Sequence, residues 1–514
     1  MKQIKTYAPV IRRRIFSEPD KSDFRLRVDA KSALWLLGAI IISLFILAPS
    51  AHAQSSGDKE TLEELRKLVE QQQKVIRDQQ KRLEALEKKI EERQTTPMPA
   101  SYTRPDTESK TETEPAPAPQ NGPALSSQIS KEITREGFGI KFYGFLRGDL
   151  AADTDRMSFD TQLPFFVLSP ADPSQATNRT GDLTIHPRLT RFGVDIKPPG
   201  LPSGWAALGK LEIDFYNAVI DRPASGGPLA KDLVSNSRAS PRIRLAYVQV
   251  NKGAFSFLAG QTWDVISPLL PSYNAEVAMW NGGNTGDRRP QLRFGYDPNI
   301  GKGKLSITGE IGASGAIDGQ DLDGDGFRDG EASTTPTGQL RIGYSAPLNG
   351  QTLSIGVWGH GAQQELNRSL VAGSHEFTSS LFGFDLSIPI LKNLVLKGEA
   401  WTGKGLSDVR GGIGQSVNTA IGRVIDASGG WGELSYKVNE YYTFSFGTTL
   451  DSPKASDITS ATGRVRNRVH YITNRFFAGR GLSLGFDCGR WQTKFKALPT
   501  GTNNRFNLFV QQSF

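Results

Sequence analysis

The chain is predicted to be an all-β membrane protein, a 16-stranded antiparallel transmembrane β-barrel with an N-terminal periplasmic α-helical coiled coil. Three observations predict this. The C-terminal segment alternates, with Phe506, Leu508, Val510 and Gln512 on one face and Arg505, Asn507, Phe509, Gln511 and Ser513 on the other, and it closes on Phe514. One face suits lipid and the other water. From Phe138 onward, short β-rich segments are joined alternately by long polar loops and by tight Gly, Pro or Asn turns. Finally, the chain is polar on average, with a mean hydropathy of -0.37, and no apolar run beyond the N-terminus is long enough for a spanning helix. A closed barrel is the other structure that crosses a bilayer with every backbone group paired.

Taken in order, the first element is a secretory signal sequence. Ala33 to Ala48 is an apolar run too short for a comfortable spanning helix, and Ala51-His52-Ala53 supplies a small-x-small cleavage site before Gln54. An uncleaved anchor is the alternative, since Arg12, Arg13 and Arg14 extend the basic region ahead of the run. Residues 1–53 hold nine Lys/Arg and four Asp/Glu, which is +5 of the formal +8. The exported part is therefore near +3, and a nucleic-acid or other polyanion partner is not indicated. Cys488 is the single cysteine, so no internal disulfide forms in spite of export.

Residues 54–93 contain a heptad repeat, with Leu62, Val69, Ile76, Leu83 and Ile90 at position a and Leu65, Gln72, Gln79 and Leu86 at position d. A helix carrying this stripe needs partner helices to bury it. Leu68 and Val75 at position g widen the stripe beyond a dimer seam, and Arg82 at g precedes Glu87 at e by the spacing of a parallel interchain pair. The expectation is a parallel trimer, against a single solvated amphipathic helix. Residues 94–137 form a Pro-rich flexible linker that includes Pro97, Pro99, Pro105, Pro115 and Pro123.

The barrel occupies residues 138–514. Strands are expected near 138–151, 184–197, 205–216, 241–250, 254–263, 290–296, 303–313, 337–345, 351–361, 378–389, 393–403, 430–438, 440–450, 466–476, 481–495 and 504–514. The short turns, such as Asn251-Lys252-Gly253 and Ala346 to Gly350, all fall on one end. Short turns face the periplasm and long loops the exterior, so an even strand count returns the C-terminus to the side of the coiled coil. The rival architecture is a soluble β-rich sandwich or solenoid on a coiled-coil stalk. The regular alternation of loop lengths and the terminal Phe514 speak against it.

Alternation also assigns pore-lining side chains. Arg147 and Asp149, Arg191 and Asp195, then Lys210, Glu212 and Asp214 face the lumen. So do Arg242 and Arg244, set opposite Ile243 and Leu245, and Gln291 with Arg293. Such a wall is wet and charged, and an arginine ladder favours anions by focusing the field in a narrow pore. The alternative is that these arginines neutralise luminal carboxylates and brace the barrel.

The loop from Asp264 to Arg289 carries Leu269, Leu270, Val277, Met279 and Trp280, more apolar surface than a solvated loop shows. It is expected to fold inward and set the constriction, with Asp264, Tyr273, Glu276 and Arg288 as its polar lining; packing across a subunit interface is the alternative. The run Asp321-Leu322-Asp323-Gly324-Asp325-Gly326-Phe327-Arg328-Asp329 has a calcium-loop spacing, with Asp321, Asp323, Asp325 and Asp329 as oxygen ligands. It departs from the EF-hand pattern, because Ala332 stands where the closing Glu belongs. Weak Ca²⁺ binding in an outer loop and a solvated Asp/Gly tip both fit. No other cofactor is indicated. The chain is expected not to be an enzyme: His186, His360, His375 and His470 form no ligand spacing, and no nucleophile elbow or phosphate loop is present, although a hydrolase triad scattered over strands leaves no such signature.

In its order of segments the chain resembles the DcaP-like trimeric outer-membrane porins of Gram-negative bacteria. The resemblance is carried by Lys141 to Asp149 (KFYGFLRGD), Thr190 to Gly193 (TRFG), Lys210 to Phe215 (KLEIDF), Arg242 to Val248 (RIRLAYV) and Phe257 to Trp263 (FLAGQTW). It implies a homotrimer in the outer membrane, in contact with its lipids and lipopolysaccharide, that passes small, preferentially anionic solutes such as dicarboxylates. Two other functions remain open on the residues alone. One is an anchor or adhesion protein that holds the coiled coil near peptidoglycan; the other is a porin for neutral sugars.

Overall fold

A computed structural model describes residues 132–135, 138–158, 164–172, 181–217, 240–273, 278–315, 322–323, 333–366, 373 and 375–514. The expected signal sequence and coiled coil, the linker as far as residue 131, Glu276, Asp321, Asp325 and Asp329 lie outside them.

The strands are β1 (Phe138–Asp153), β2 in two segments (Asp182–His186 and Arg191–Lys197), β3 (Ala206–Asn217), β4 (Ser240–Lys252), β5 (Phe255–Trp263), β6 (Arg288–Tyr296), β7 (Gly303–Gly312) and β8 (Thr337–Leu348). They continue as β9 (Gln351–Glu365), β10 (Glu376–Leu391), β11 (Leu394–Lys404), β12 (Asp426–Lys437), β13 (Tyr442–Pro453), β14 (Arg464–Gly479), β15 (Leu482–Phe495) and β16 (Gly501–Ser513). Each pairs antiparallel with the next, and β1 closes on β16 from Phe145↔Ser513 to Asp153↔Arg505. Phe514 completes the seam: its N–H donates to the Gly144 carbonyl at 3.1 Å, and the Gly144 N–H donates to the Phe514 carbonyl at 3.2 Å. The protein is thus a closed 16-stranded antiparallel barrel. Glu132–Arg135, at the end of the expected linker, adds a short rung to β1.

Turn chemistry sets the short-turn end. Asn349-Gly350 joins β8 to β9 with both residues at positive φ (52° and 75°), the conformation whose twist matches a two-residue hairpin. Two local departures from strict alternation bear on the lumen. Pro187 lacks an N–H and breaks β2, whose halves pair separately with β1 from Asp149↔His186 upward and from Phe145↔Arg191 downward. In β4, Glu212 pairs with Leu245 while Ile213 pairs with Ile243, so Arg244 is the extra residue of a β-bulge. Leu245, expected to face lipid, is therefore buried, only 3% exposed.

Further register shifts fall near the ends of β3 (Asp214/Asn217), β10 (Pro389/Leu391) and β14 (Arg464/Arg466 and Phe477/Gly479); along the rest of the strands alternation holds. Phe142, Leu146, Leu211, Val248, Phe294 and Leu508 are exposed on the outer face, and aromatic pairs such as Phe255 with Tyr296 (centroids 4.7 Å apart) and Tyr442 with Phe476 (4.8 Å) girdle the short-turn end. The apolar core lies inside the barrel, between wall and loops. Met157, Val167, Tyr273 and Met279 from loops pack on Val469, Tyr471 and Trp491. A second cluster sets Ile266, Leu406 and Val409 against Trp358, Leu381 and Trp401.

Candidate functional site: an inward loop and a wall of cations over buried acids

The β5–β6 loop turns into the barrel because inward-facing carboxylates, one on neighbouring β7 and two across the lumen on β11 and β12, receive its backbone. The Val265 N–H donates to Glu310 (3.2 Å), the Leu269 N–H to Glu399 (2.7 Å) and the Ser272 N–H to Glu433 (2.7 Å). The Ser267 hydroxyl also reaches Glu399, and Arg475 donates to the Ser272 carbonyl. Beyond the undescribed residues 274–277, Trp401 Nε1 donates to the Gly283 carbonyl at 2.8 Å, and Asn467 Nδ2 donates to the Asn281 carbonyl at 2.9 Å. At Gly283, with φ of 125°, a Cβ would stand 2.5 Å from the Gly430 carbonyl, so the loop touches the wall backbone.

A second loop, β11–β12, folds in over the first and is clamped to it by charge. Buried Arg289 donates to Asp264 through Nε (2.7 Å) and to Asp408 through Nη1 (2.9 Å), joining the two loops. Arg410 donates to Asp287 through Nε (3.0 Å) and Nη2 (2.9 Å). Burial alone would raise the Asp287 carboxyl, but the adjacent Arg410 and Arg288 guanidiniums outweigh it and hold the group below the usual carboxylate range. The Ile413 N–H donates to Asp451 at 3.1 Å, which seats this loop on β13.

Of the pore-lining residues expected on β1 to β6, Asp195, Lys210, Arg191, Glu212, Arg244, Asp214 and Arg242 join in one network through Tyr143, and Arg147 with Asp149 and Arg293 with Glu310 pair beside it. Arg147 donates to Asp149 (Nε–Oδ2 2.9 Å), and Lys210 pairs with Asp195 (2.6 Å). Arg242 chelates Asp214 (2.9 and 2.8 Å), while the bulged Arg244 bridges Glu212 (2.7 Å) and Asp214 (2.8 Å). Arg191 lies 3.6 Å from Glu212, and Arg293 lies 3.5 Å from Glu310. The bracing expected as an alternative is therefore present. The pairs are nevertheless unequal in exposure: the Arg242 side chain is 30% exposed over an Asp214 that is 1% exposed, and Arg293 is 23% exposed over a fully buried Glu310. The opposite wall repeats the arrangement, with Arg341 at 15% over Asp385 at 0% and Arg475 at 18% over Asp487 at 0%. Lys210 and Asp195, about equally exposed, depart from it.

The described constriction candidates all have buried side chains. Arg288 opens β6 with its guanidinium over the Trp263 ring (4.7 Å), 3.3 Å from Asp287, and its buried Nη1 has no hydrogen-bond partner among the described residues. Asp264 and Tyr273 are buried rather than pore-lining: Asp264 is held by Arg289, and Tyr273 packs 5.2 Å from Tyr471. Burial pushes the Tyr273 phenol well above its usual range. Of the calcium candidates only Asp323 is described, and it is half-buried. Folding also brings His375 beside Glu376 (3.5 Å) and Glu365, an open surface group. Sequence reading missed the inward β11–β12 loop and its Asp408 and Arg410; the Gly411-Gly412-Ile413-Gly414 run was its one visible signal.

A closed antiparallel barrel with an apolar outer band, an inward loop and a charged lumen has the architecture of the outer-membrane porins. Comparison with solved structures gives the particular likeness. The chain is similar to the outer membrane channel DcaP of Acinetobacter baumannii, with 18% identity and a TM-score of 0.54, over 74% of this chain and 99% of that one. It is also similar to an anion-selective porin from Comamonas acidovorans (13% identity, TM-score 0.47, 73% of this chain and 100% of that one) and to Pseudomonas putida OprB (13%, 0.45, 73% and 94%). The resemblance read from the sequence is thus met in the fold. No protein-family model matches the chain, and no curated protein matches it.

Proposed function

We propose that the protein is a trimeric outer-membrane diffusion porin for small, preferentially anionic solutes such as dicarboxylates. The observation that carries the selectivity is the uneven exposure of the luminal pairs. Arg242, Arg293, Arg341 and Arg475 present positive charge to water, while their carboxylates lie beneath, at most 1% exposed. A solute in the lumen meets the positive end of each pair, and water-poor walls amplify that field. The inward loops narrow the path beside this wall, so passing solutes run within reach of it. The likeness to a DcaP channel supports a pore over an anchor. The coiled coil of residues 54–93 serves as the trimerisation element in the periplasm. Swelling of proteoliposomes tests the substrate class: dicarboxylates should enter faster than neutral sugars of equal size. Equal or slower entry would refute the anion preference, and no swelling from inserted, folded barrels would refute the pore.

A further inference from the structure

A second concentration of positive charge lies outside the pore, on the outward face of β14 and β15. Arg466 and Lys494 are direct cross-strand partners, both exposed, with half-buried Arg468 and exposed Arg490 on the same face one and two rungs toward the short-turn end. Like charges set directly opposite each other on a sheet repel and destabilise it. No carboxylate among the described residues relieves them: Asp426 is taken by Lys454 at 3.1 Å, and Arg490 reaches only the Asn504 amide oxygen at 3.3 Å. Arg466, Lys494 and Lys454 border a depression of about 530 Å³ that also holds Asp426, already paired with Lys454, and Ser428, Ser452 and Thr402.

Height fixes what this patch meets. Along the outward face of β15, Leu482, Leu484, Phe486 and Cys488 precede Arg490, Gln492 and Lys494. At about 3.3 Å per residue and a tilt of about 40°, Arg490 stands roughly 20 Å and Lys494 roughly 30 Å above Leu482. An outer-membrane barrel's apolar band is about 25 Å tall, so the patch straddles its upper edge on the long-loop side, which faces the exterior. Long arginine and lysine stems reach from that edge to headgroups.

We infer that this face binds the phosphate groups of an outer-leaflet glycolipid, with one phosphate held between Arg466 and Lys494. The inference rests on the outer-membrane reading of the barrel but not on the pore. A phosphate relieves the cross-strand repulsion and accepts the charge-assisted hydrogen bonds a guanidinium offers, whereas a second copy of this chain would have to bring carboxylates to the same place.

The test uses delipidated full-length protein, native mass spectrometry, and bisphosphorylated or dephosphorylated lipid A as probes. Wild-type protein should hold the bisphosphorylated form at least about tenfold more tightly. The double variant Arg466→Ala/Lys494→Ala should lose that preference while keeping its oligomeric state and conductance, and Arg466→Lys should retain most of it. An unchanged preference in the double variant overturns the inference. So does loss of oligomers with lipid binding intact, which would give the face to a second copy. Conductance on the same preparation reports separately on the pore: a folded, silent barrel that still discriminates between the lipids would refute the porin reading alone.

Discussion

Replacing Glu433 with Ala should unseat the inward loop without unfolding the barrel. Glu433 accepts the Ser272 N–H and hydroxyl, each at 2.7 Å, together with Lys397 Nζ at 3.0 Å and the Tyr471 hydroxyl at 2.9 Å. Hydrogen bonds to a charged group contribute about 1.5–3 kcal/mol each, so the two from Ser272 represent about 3–6 kcal/mol before water replaces them. A net loss of about 3 kcal/mol raises the population of displaced-loop states by about a hundredfold. Lys397 still donates to the Leu270 carbonyl at 3.1 Å, so the loop loosens rather than detaches. Single-channel recording in planar bilayers should show larger open-channel noise and brief higher-conductance events. Glu433→Gln, which keeps one acceptor oxygen, should lie between the variant and wild type. A Glu433→Ala channel as quiet as wild type, with the same step size, would refute the assignment of Glu433 as an anchor.

Three further outcomes follow from the same contacts. Arg289→Ala leaves Asp264 and Asp408 buried without their shared cation and should cost about 3–5 kcal/mol; an unchanged thermal transition in detergent would contradict this. At Asp287, burial raises the carboxyl pKa, but Arg410 and Arg288 lower it further, so the folded value lies below the unfolded one. Its stabilisation is complete above the ordinary carboxylate range and is lost as pH falls through the lowered value, so acid should increase loop noise in wild type more than in Asp287→Asn. Neutralising the two exposed arginines in Arg242→Ala/Arg293→Ala should move the zero-current potential in a salt gradient toward that of an unselective pore, because buried Asp214 keeps its bond to Arg244; an unmoved potential would show that selectivity arises elsewhere.

The barrel was legible because lipid and water enforce a period of two at every rung, and loop length marks which end is which. Phe506, Leu508 and Val510 did face outward, and Arg505 and Asn507 inward. The period failed where the backbone itself changed step. The bulge at Arg244, which no residue type signals, buries Leu245, and Pro187, which lacks the N–H a ladder needs, splits β2. Inward folding of the β5–β6 loop was visible in its apolar content. Its partners were not, since Glu399, Glu433 and Asn467 are brought to it by barrel closure from more than a hundred residues away. For the same reason Asp264 and Tyr273, polar residues in a pore loop, became anchors rather than lining.

The zero-current potential of the purified wild-type protein in a planar bilayer under a potassium chloride gradient tests the central claim most directly. Three equal conductance steps and a potential of the sign set by chloride movement are the predicted result. A potential set by potassium would contradict the reading of the exposed arginines over buried acids, even with the pore intact.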